Sequence, residues 1–221
     1  MKLSILRGNE VFISETVMNS ILVTIVLIVI GIIAKREVTK AKVDEAPSNF
    51  LNIVEILLDF IKDMLKSNMG AKNMRFAPLM ITLISYLAVA NTITIAGFAS
   101  PTSDYSIALT LALFVFIIVQ VEKFKSSGGV SGYFKSFTKP FALITPINII
   151  SELANPISMS FRLFGNMMSG GLIMALIHNS LGYLSPLVKA PLHLYFDLFT
   201  GLLQAYIFVM LTMIFVDGAT E

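Results

Sequence analysis

The chain of 221 residues is 56% hydrophobic and 14% charged, with a mean hydropathy of +0.82. An ordinary soluble domain carries about 25% charged residues, so the composition reads as an integral membrane protein and excludes a soluble globular one. Lys and Arg number 16 against 14 acids, for a net charge of +2. No basic block suggests nucleic acid. The absence of cysteine removes disulfides, thiolate catalysis and cysteine-ligated metals.

The opening MKLSILRGNE resembles a signal peptide, but Glu10 and Glu15 interrupt the approach to the apolar run and no A-x-A site follows. The first helix is therefore expected to be retained. Residues 16–34 form an apolar stretch that, at 1.5 Å per residue, just crosses a hydrocarbon core of about 30 Å. Lys35, Arg36, Lys40 and Lys42 follow at once. Such a cluster belongs in a cytoplasmic loop, which puts the N-terminus outside.

Residues 48–66 differ in kind. Glu55, Asp59, Lys62, Asp63 and Lys66 recur opposite a stripe of Phe50, Val54, Leu57, Leu58, Ile61 and Leu65. This period of 3.6 predicts an amphipathic helix lying in the cytoplasmic interface, with packing on a soluble partner as the alternative.

Two further spans, 76–99 and 105–121, are joined by SPTSD, which has no cation. The glycine-rich loop after them carries Lys123, Lys125, Lys135 and Lys139. Cations thus fall mainly on alternate loops, as consecutive crossings require. Asn91, Thr92 and Thr94 either line a polar path or hydrogen-bond between helices.

Residues 141–179 form a long apolar run with no polar loop, about twice the length of a perpendicular span. It is either two short spans or one tilted and bent helix, and a break at Pro156 followed by steep tilt is preferred. Residues 191–215 make a final long helix, so that the C-terminus is cytoplasmic. The fold class is all-α: a single membrane domain over 1–221, with no internal repeat and no nucleotide-binding glycine loop.

Within the last two segments only Glu152, Arg162 and Asp197 are charged at neutral pH. A central arginine costs about 2.5 to 3.5 kcal/mol on insertion scales, so it faces a wet cavity or a partner and marks function by default. Ser158, Arg162, Asn166 and Ser169 share one helical face; Asp197, Gly201 and Gln204 share another. Together the two stripes would line a shared aqueous path. Gly165, Gly170 and Gly171 offer small surface for close helix approach. The competing structural role for Arg162 is a permanent ion pair with Glu152 or Asp197. His178 reads as interfacial. His193, four residues before Asp197, is left open between an interfacial role and a proton relay.

At SFRLFGNM, joined to SGGLI and followed by LLQAYIFVMLT, the sequence resembles subunit a of the F-type ATP synthase, bacterial type, the stator of its membrane rotor. The resemblance extends from Phe76 to Phe215 in helix order and loop character; the first 75 residues agree in type alone. It implies that Arg162 is the family's functional arginine, facing the ion-binding carboxylates of the rotating c-ring. It also implies that Asn166 and Gln204 are the polar residues beside it and that Asp197 stands on the ion pathway, with Glu152 as a further pathway residue; Ser158 joins the expected pathway residues through its place on the arginine's helical face. Gly171 departs from members that carry glutamate or histidine there.

The implied partners are the c-ring, the subunit b peripheral stalk, the remaining synthase subunits, lipid, and transported H+ or Na+. No cofactor is implied, and the chain is expected to be no enzyme by itself. The implied location is the bacterial cell inner (plasma) membrane. An ion channel or secondary transporter that binds an anion through Arg162 is the main rival, and a membrane scaffold the second. No transporter repeat is visible to favour the first.

Overall fold

The computed structural model describes residues 14–40, 48–137, 142–182 and 185–220. Expectations at Lys42 and Lys139 fall outside them. Among the described residues every regular element is helical: α1 Glu15–Lys40, α2 Asn49–Met69, α3 Ala77–Thr92, α4 Tyr105–Ser126, α5 Val130–Phe137, α6 Thr145–Leu181, α7 Ser185–His193 and α8 Gly201–Thr220. Among the described residues five stretches are long and apolar enough to cross a membrane: Glu15–Lys40, Lys72–Ala96, Tyr105–Ser126, Thr145–Leu181 and Ser185–Thr220. This is an all-α, multi-pass membrane protein.

Local chemistry sets the helix ends. Ser48 caps α2 by accepting a hydrogen bond from the Leu51 amide at 3.3 Å, and Asp104 caps α4 by accepting from the Ser106 amide at 2.9 Å. After α3 a short 3-10 turn stops at Gly97, whose φ of 84° is left-handed and so suits glycine. Thr16 donates to Asp104 at 3.0 Å, Asn19 donates to the Ala99 carbonyl at 2.7 Å, and the Ser20 and Tyr86 hydroxyls lie 2.7 Å apart. Polar contacts thereby fasten α1, which buries little besides Asn19 and Val23.

The core lies where α3, α4, α6 and α8 meet. Met80, Leu87, Val115, Leu163, Phe208 and Met213 are all buried there. Ala108 and Ala112 on α4 and Ala205 on α8 are fully covered, and such small residues let membrane helices approach closely. α2 enters this core only through its C-terminal half, at Ile61, Met64, Leu65 and Met69; Ile53, Ile56, Leu57 and Phe60 stay exposed. Of the predicted stripe, then, Ile61 and Leu65 pack inward while Phe50 and Leu57 point away.

The preferred break at Pro156 is not present. α6 runs unbroken through a buried Pro156. Proline removes one i→i−4 bond and disfavours a helix interior in water, but in lipid the alternative of exposed backbone costs more, and proline is tolerated within membrane helices. One side of α6 remains a row of exposed apolar groups, Leu153, Ile157, Phe161, Met168 and Leu172, with Arg162 beside them.

The last helix also departs from expectation. Between α7 and α8, Leu194–Thr200 is π-helical, so the segment that carries Asp197 is wider than an α-helix.

Candidate functional site

Arg162 lies at the middle of α6, about 25 Å from Thr145 and about 28 Å from Leu181 at 1.5 Å per residue. No side chain at that depth can reach either helix end. The residue is exposed, and among the described residues it makes no ion pair with Glu152 or Asp197. Both carboxylates are engaged elsewhere, which removes the permanent internal strut as its role.

Asn166, one turn on from Arg162, is half-buried and donates from Nδ2 to Gln204 Oε1 at 2.5 Å. This bond joins the polar stripe of α6 to that of α8. Gln204 is 1% exposed, and its Nε2 has no acceptor among the described residues. A buried donor without a partner is uncommon, and here it lies one bond from the residue that neighbours the arginine. Ser169 donates to the Asn166 carbonyl at 3.1 Å, while Ser158 is exposed on the Arg162 side.

Asp197 is half-buried and bonded to His193 Nδ1 at 2.5 Å. The two side chains are 14% and 47% exposed, so the imidazole forms the outer member of the pair. His178 is exposed and sits 3.3 Å from the Ser185 hydroxyl. Of the three glycines proposed for close approach, only Gly170 lies against a neighbour: a Cβ there would make ordinary contact with Phe196 at 3.5 Å, whereas Gly165 and Gly171 face open space.

Glu152 belongs to a different cluster. It is tightly paired with Lys123 of α4 and accepts from Gln120 Nε2 at 3.1 Å; Tyr133 in turn donates to Gln120 Oε1 at 2.7 Å. Glu152, Lys123 and Gln120 border a cavity of about 210 Å³ that reaches Asn155, Met159 and Gly218. Sequence reasoning assigned Lys123 only to the cationic loop and passed over Gln120 and Tyr133. Their spacing is visible, but whether Gln120 and Lys123 face α6 depends on how α4 is rotated, and Tyr133 reaches Gln120 only because α5 folds back.

Asn91 resolves toward packing. It is fully buried, donates to the Gly201 carbonyl at 3.0 Å and accepts from Thr102 at 2.7 Å, so it ties α3 to the start of α8. Gly201 suits this close approach: a Cβ there would come within 3.1 Å of Asn91 Cβ, and Asn91 would have to shift slightly. No group of three or more His, Cys, Asp or Glu capable of holding a metal ion occurs among the described residues.

The sequence model of the family described as "ATP synthase A chain" matches residues 17–217, nearly the whole chain and both polar stripes. The chain belongs to that family. It is 33% identical over 214 residues to "ATP synthase subunit a" of Priestia megaterium, covering 90% of this chain and 89% of the relative. It is 30% identical over 223 residues to the protein of the same name from Lysinibacillus sphaericus, covering 94% and 92%. A third relative, "ATP synthase subunit a, sodium ion specific" of Propionigenium modestum, is 34% identical over 181 residues, which is 75% of this chain and 61% of that protein. Against this relative, and one from Chlorobaculum tepidum, the chain spans somewhat under two thirds of their length. This chain holds its mid-helix arginine next to an Asn166–Gln204 bridge and keeps Asp197 and Glu152 in two separate clusters.

Proposed function

We propose that this chain is the ion-conducting stator subunit of an ATP synthase membrane sector, in a bacterial plasma membrane, with its N-terminus outside and its C-terminus cytoplasmic. It forms two aqueous half-channels that carry H+ or Na+ to and from a rotating c-ring, and it assembles with the subunit b stalk and the remaining synthase subunits. The observation that carries this reading is the exposed Arg162 at mid-helix, with no counter-ion among the described residues. An unpaired cation at bilayer depth is unfavourable unless a partner supplies the opposite charge.

A rotor carboxylate meets that requirement. Holding its ion, it is neutral and tolerates lipid; after releasing the ion into a half-channel it is an anion that lipid rejects. Arg162 attracts the anion. At about 4 Å and an effective dielectric near 20, the Coulomb attraction is about 4 kcal/mol, enough to favour ionisation yet small enough for exchange to continue. The guanidinium stays protonated when desolvated, whereas a lysine can lose its proton. The same fixed charge repels a cation that would pass directly between the half-channels. Each ion that crosses contributes about 2.3 kcal/mol per 100 mV of membrane potential to rotation.

The other groups take supporting places. The Asn166–Gln204 bond holds two amides beside the arginine, where they orient its guanidinium and the arriving carboxylate. Asp197, with His193 outside it, provides an acidic relay on one half-channel. Glu152, paired with Lys123 at the opposite end of the bundle, borders a cavity suited to the other.

The test is Arg162→Ala in the assembled complex, reconstituted into vesicles. Ion-driven ATP synthesis should be lost while the chain still inserts and co-purifies with its partners; normal coupled synthesis would overturn the proposal.

A further inference from the structure

A second polar cluster closes the end of the bundle where α3 begins and α4 and α8 end. A cavity of about 430 Å³ there is lined by Lys72, Asn73, Arg75, Glu122, Lys125 and Thr220, among others. Glu122 has a side chain only 10% exposed and accepts from Arg75 Nη2 at 2.7 Å and Lys125 Nζ at 3.1 Å. Arg75 and Lys125 are themselves 58% and 63% exposed, so the donors not bonded to Glu122 remain open to the surroundings. Asn73 donates to Asp217 at 2.8 Å and to Thr220 at 3.1 Å. Among the described residues the cluster, with Asp217 included, has three cations (Lys72, Arg75, Lys125) to two carboxylates, and so favours an anion.

Lys125 also borders a second cavity, of about 620 Å³, whose other walls include Phe116, Ile117, Val121 and Phe124. These residues follow one face of α4 for about 13 Å from Lys125 into the apolar thickness. Ile117, Val121 and Phe124 are exposed. A polar, cationic mouth at the helix ends therefore continues, through one shared lysine, into an apolar groove at acyl-chain depth.

We propose that these two cavities form one binding site for an anionic phospholipid. Its phosphate sits against Lys72, Arg75 and Lys125, and an acyl chain lies along Ile117, Val121 and Phe124. Guanidinium and ammonium groups at helix ends bind phosphate oxygens by charge-assisted hydrogen bonds, and basic pockets between membrane helices suit anionic headgroups. A zwitterionic headgroup would place its own ammonium among three cations. A free phosphate would leave the groove unused. An occupied site would fix the ends of α3 and α4 against each other at the membrane surface.

The test uses the intact complex in phosphatidylcholine vesicles that contain a trace of phosphatidylglycerol with a diazirine on one acyl chain, or the matching phosphatidylcholine probe. On illumination the phosphatidylglycerol probe should label residues 116–124 in preference to the phosphatidylcholine probe. Lys72→Gln and Lys125→Gln should each lower that labelling about fivefold. Because both lysines are exposed, the amount of assembled complex should be unchanged. Val121→Trp, which fills the groove without touching the charges, should also lower labelling of this segment. Equal labelling by the two probes, undiminished labelling in the lysine variants or in Val121→Trp, or displacement of the probe by millimolar inorganic phosphate would each overturn the proposal.

Discussion

Replacing Gln204 with methionine separates stability from function, and the structure sets the size of each effect. Gln204 is 1% exposed; its Oε1 accepts one hydrogen bond from Asn166 at 2.5 Å, and its Nε2 is buried with no acceptor among the described residues. Removing the amide loses one interhelical bond, about 0.6 to 1.5 kcal/mol. It also relieves a buried unsatisfied donor, which costs about 1 to 3 kcal/mol. Methionine has a similar volume and adapts to its surroundings, so no cavity term is added. The balance runs from about 0.5 kcal/mol less stable to about 2.5 kcal/mol more stable than the parent. Function should move the other way, because Asn166 loses the partner that holds it beside Arg162; ion-driven synthesis per assembled complex should fall. Thermal unfolding in micelles alongside proton-driven or sodium-driven synthesis in vesicles reads both quantities. A loss of stability beyond about 3 kcal/mol would refute the argument about the orphan donor, and undiminished synthesis would refute the role given to the bridge.

Asp197→Asn should slow ion flux per assembled complex more than it lowers assembly, since the bond to His193 survives in part while the charge is gone; flux measured against the amount of complex checks this. Asn91→Leu should destabilise the fold by about 2 to 5 kcal/mol in a micelle denaturation series, because it leaves the buried Thr102 hydroxyl and the Gly201 carbonyl without their present partner. Asp104→Ala should cost about 1 kcal/mol near neutral pH as a lost helix cap. The Ser106 amide, and after it the Thr16 hydroxyl, hold the Asp104 carboxyl below its ordinary value of 3.8. A depressed folded value means that this stabilisation is complete above the unfolded value and is lost as pH falls through the folded one. The difference between parent and variant should therefore stay level down to about pH 5 and shrink below about pH 4.

The membrane spans and the arginine were legible because lipid imposes strong rules: spans must be apolar, and a charge at their centre stands out. The Asn166–Gln204 bridge was half visible. Periodicity put each residue on a polar stripe, but the facing of the two stripes needed the fold. The continuity of α6 was misread because proline rules learned from water do not weigh the cost of exposing backbone in hydrocarbon. The Glu152 cluster stayed hidden for another reason. Lys123 and Gln120 look like ordinary loop-border residues until the rotation of α4 turns them toward α6, and Tyr133 until α5 brings it back against Gln120. The π-helical segment around Asp197 has no sequence signature that periodicity reads, since its registers differ from an α-helix by a single residue per turn.

The exposed apolar row of α6, Leu153, Ile157, Phe161, Met168 and Leu172, has a mechanical consequence for the proposed motor. Hydrocarbon side chains offer a passing surface no directional bonds, so each contact is made and broken against shallow dispersion wells of about 0.1 to 0.2 kcal/mol per atom pair. Such a face acts as a dry bearing. With Arg162 on the polar stripe beside it, the resistance to sliding is concentrated at one angular position, and a passing rotor would feel one electrostatic detent per subunit instead of continuous friction.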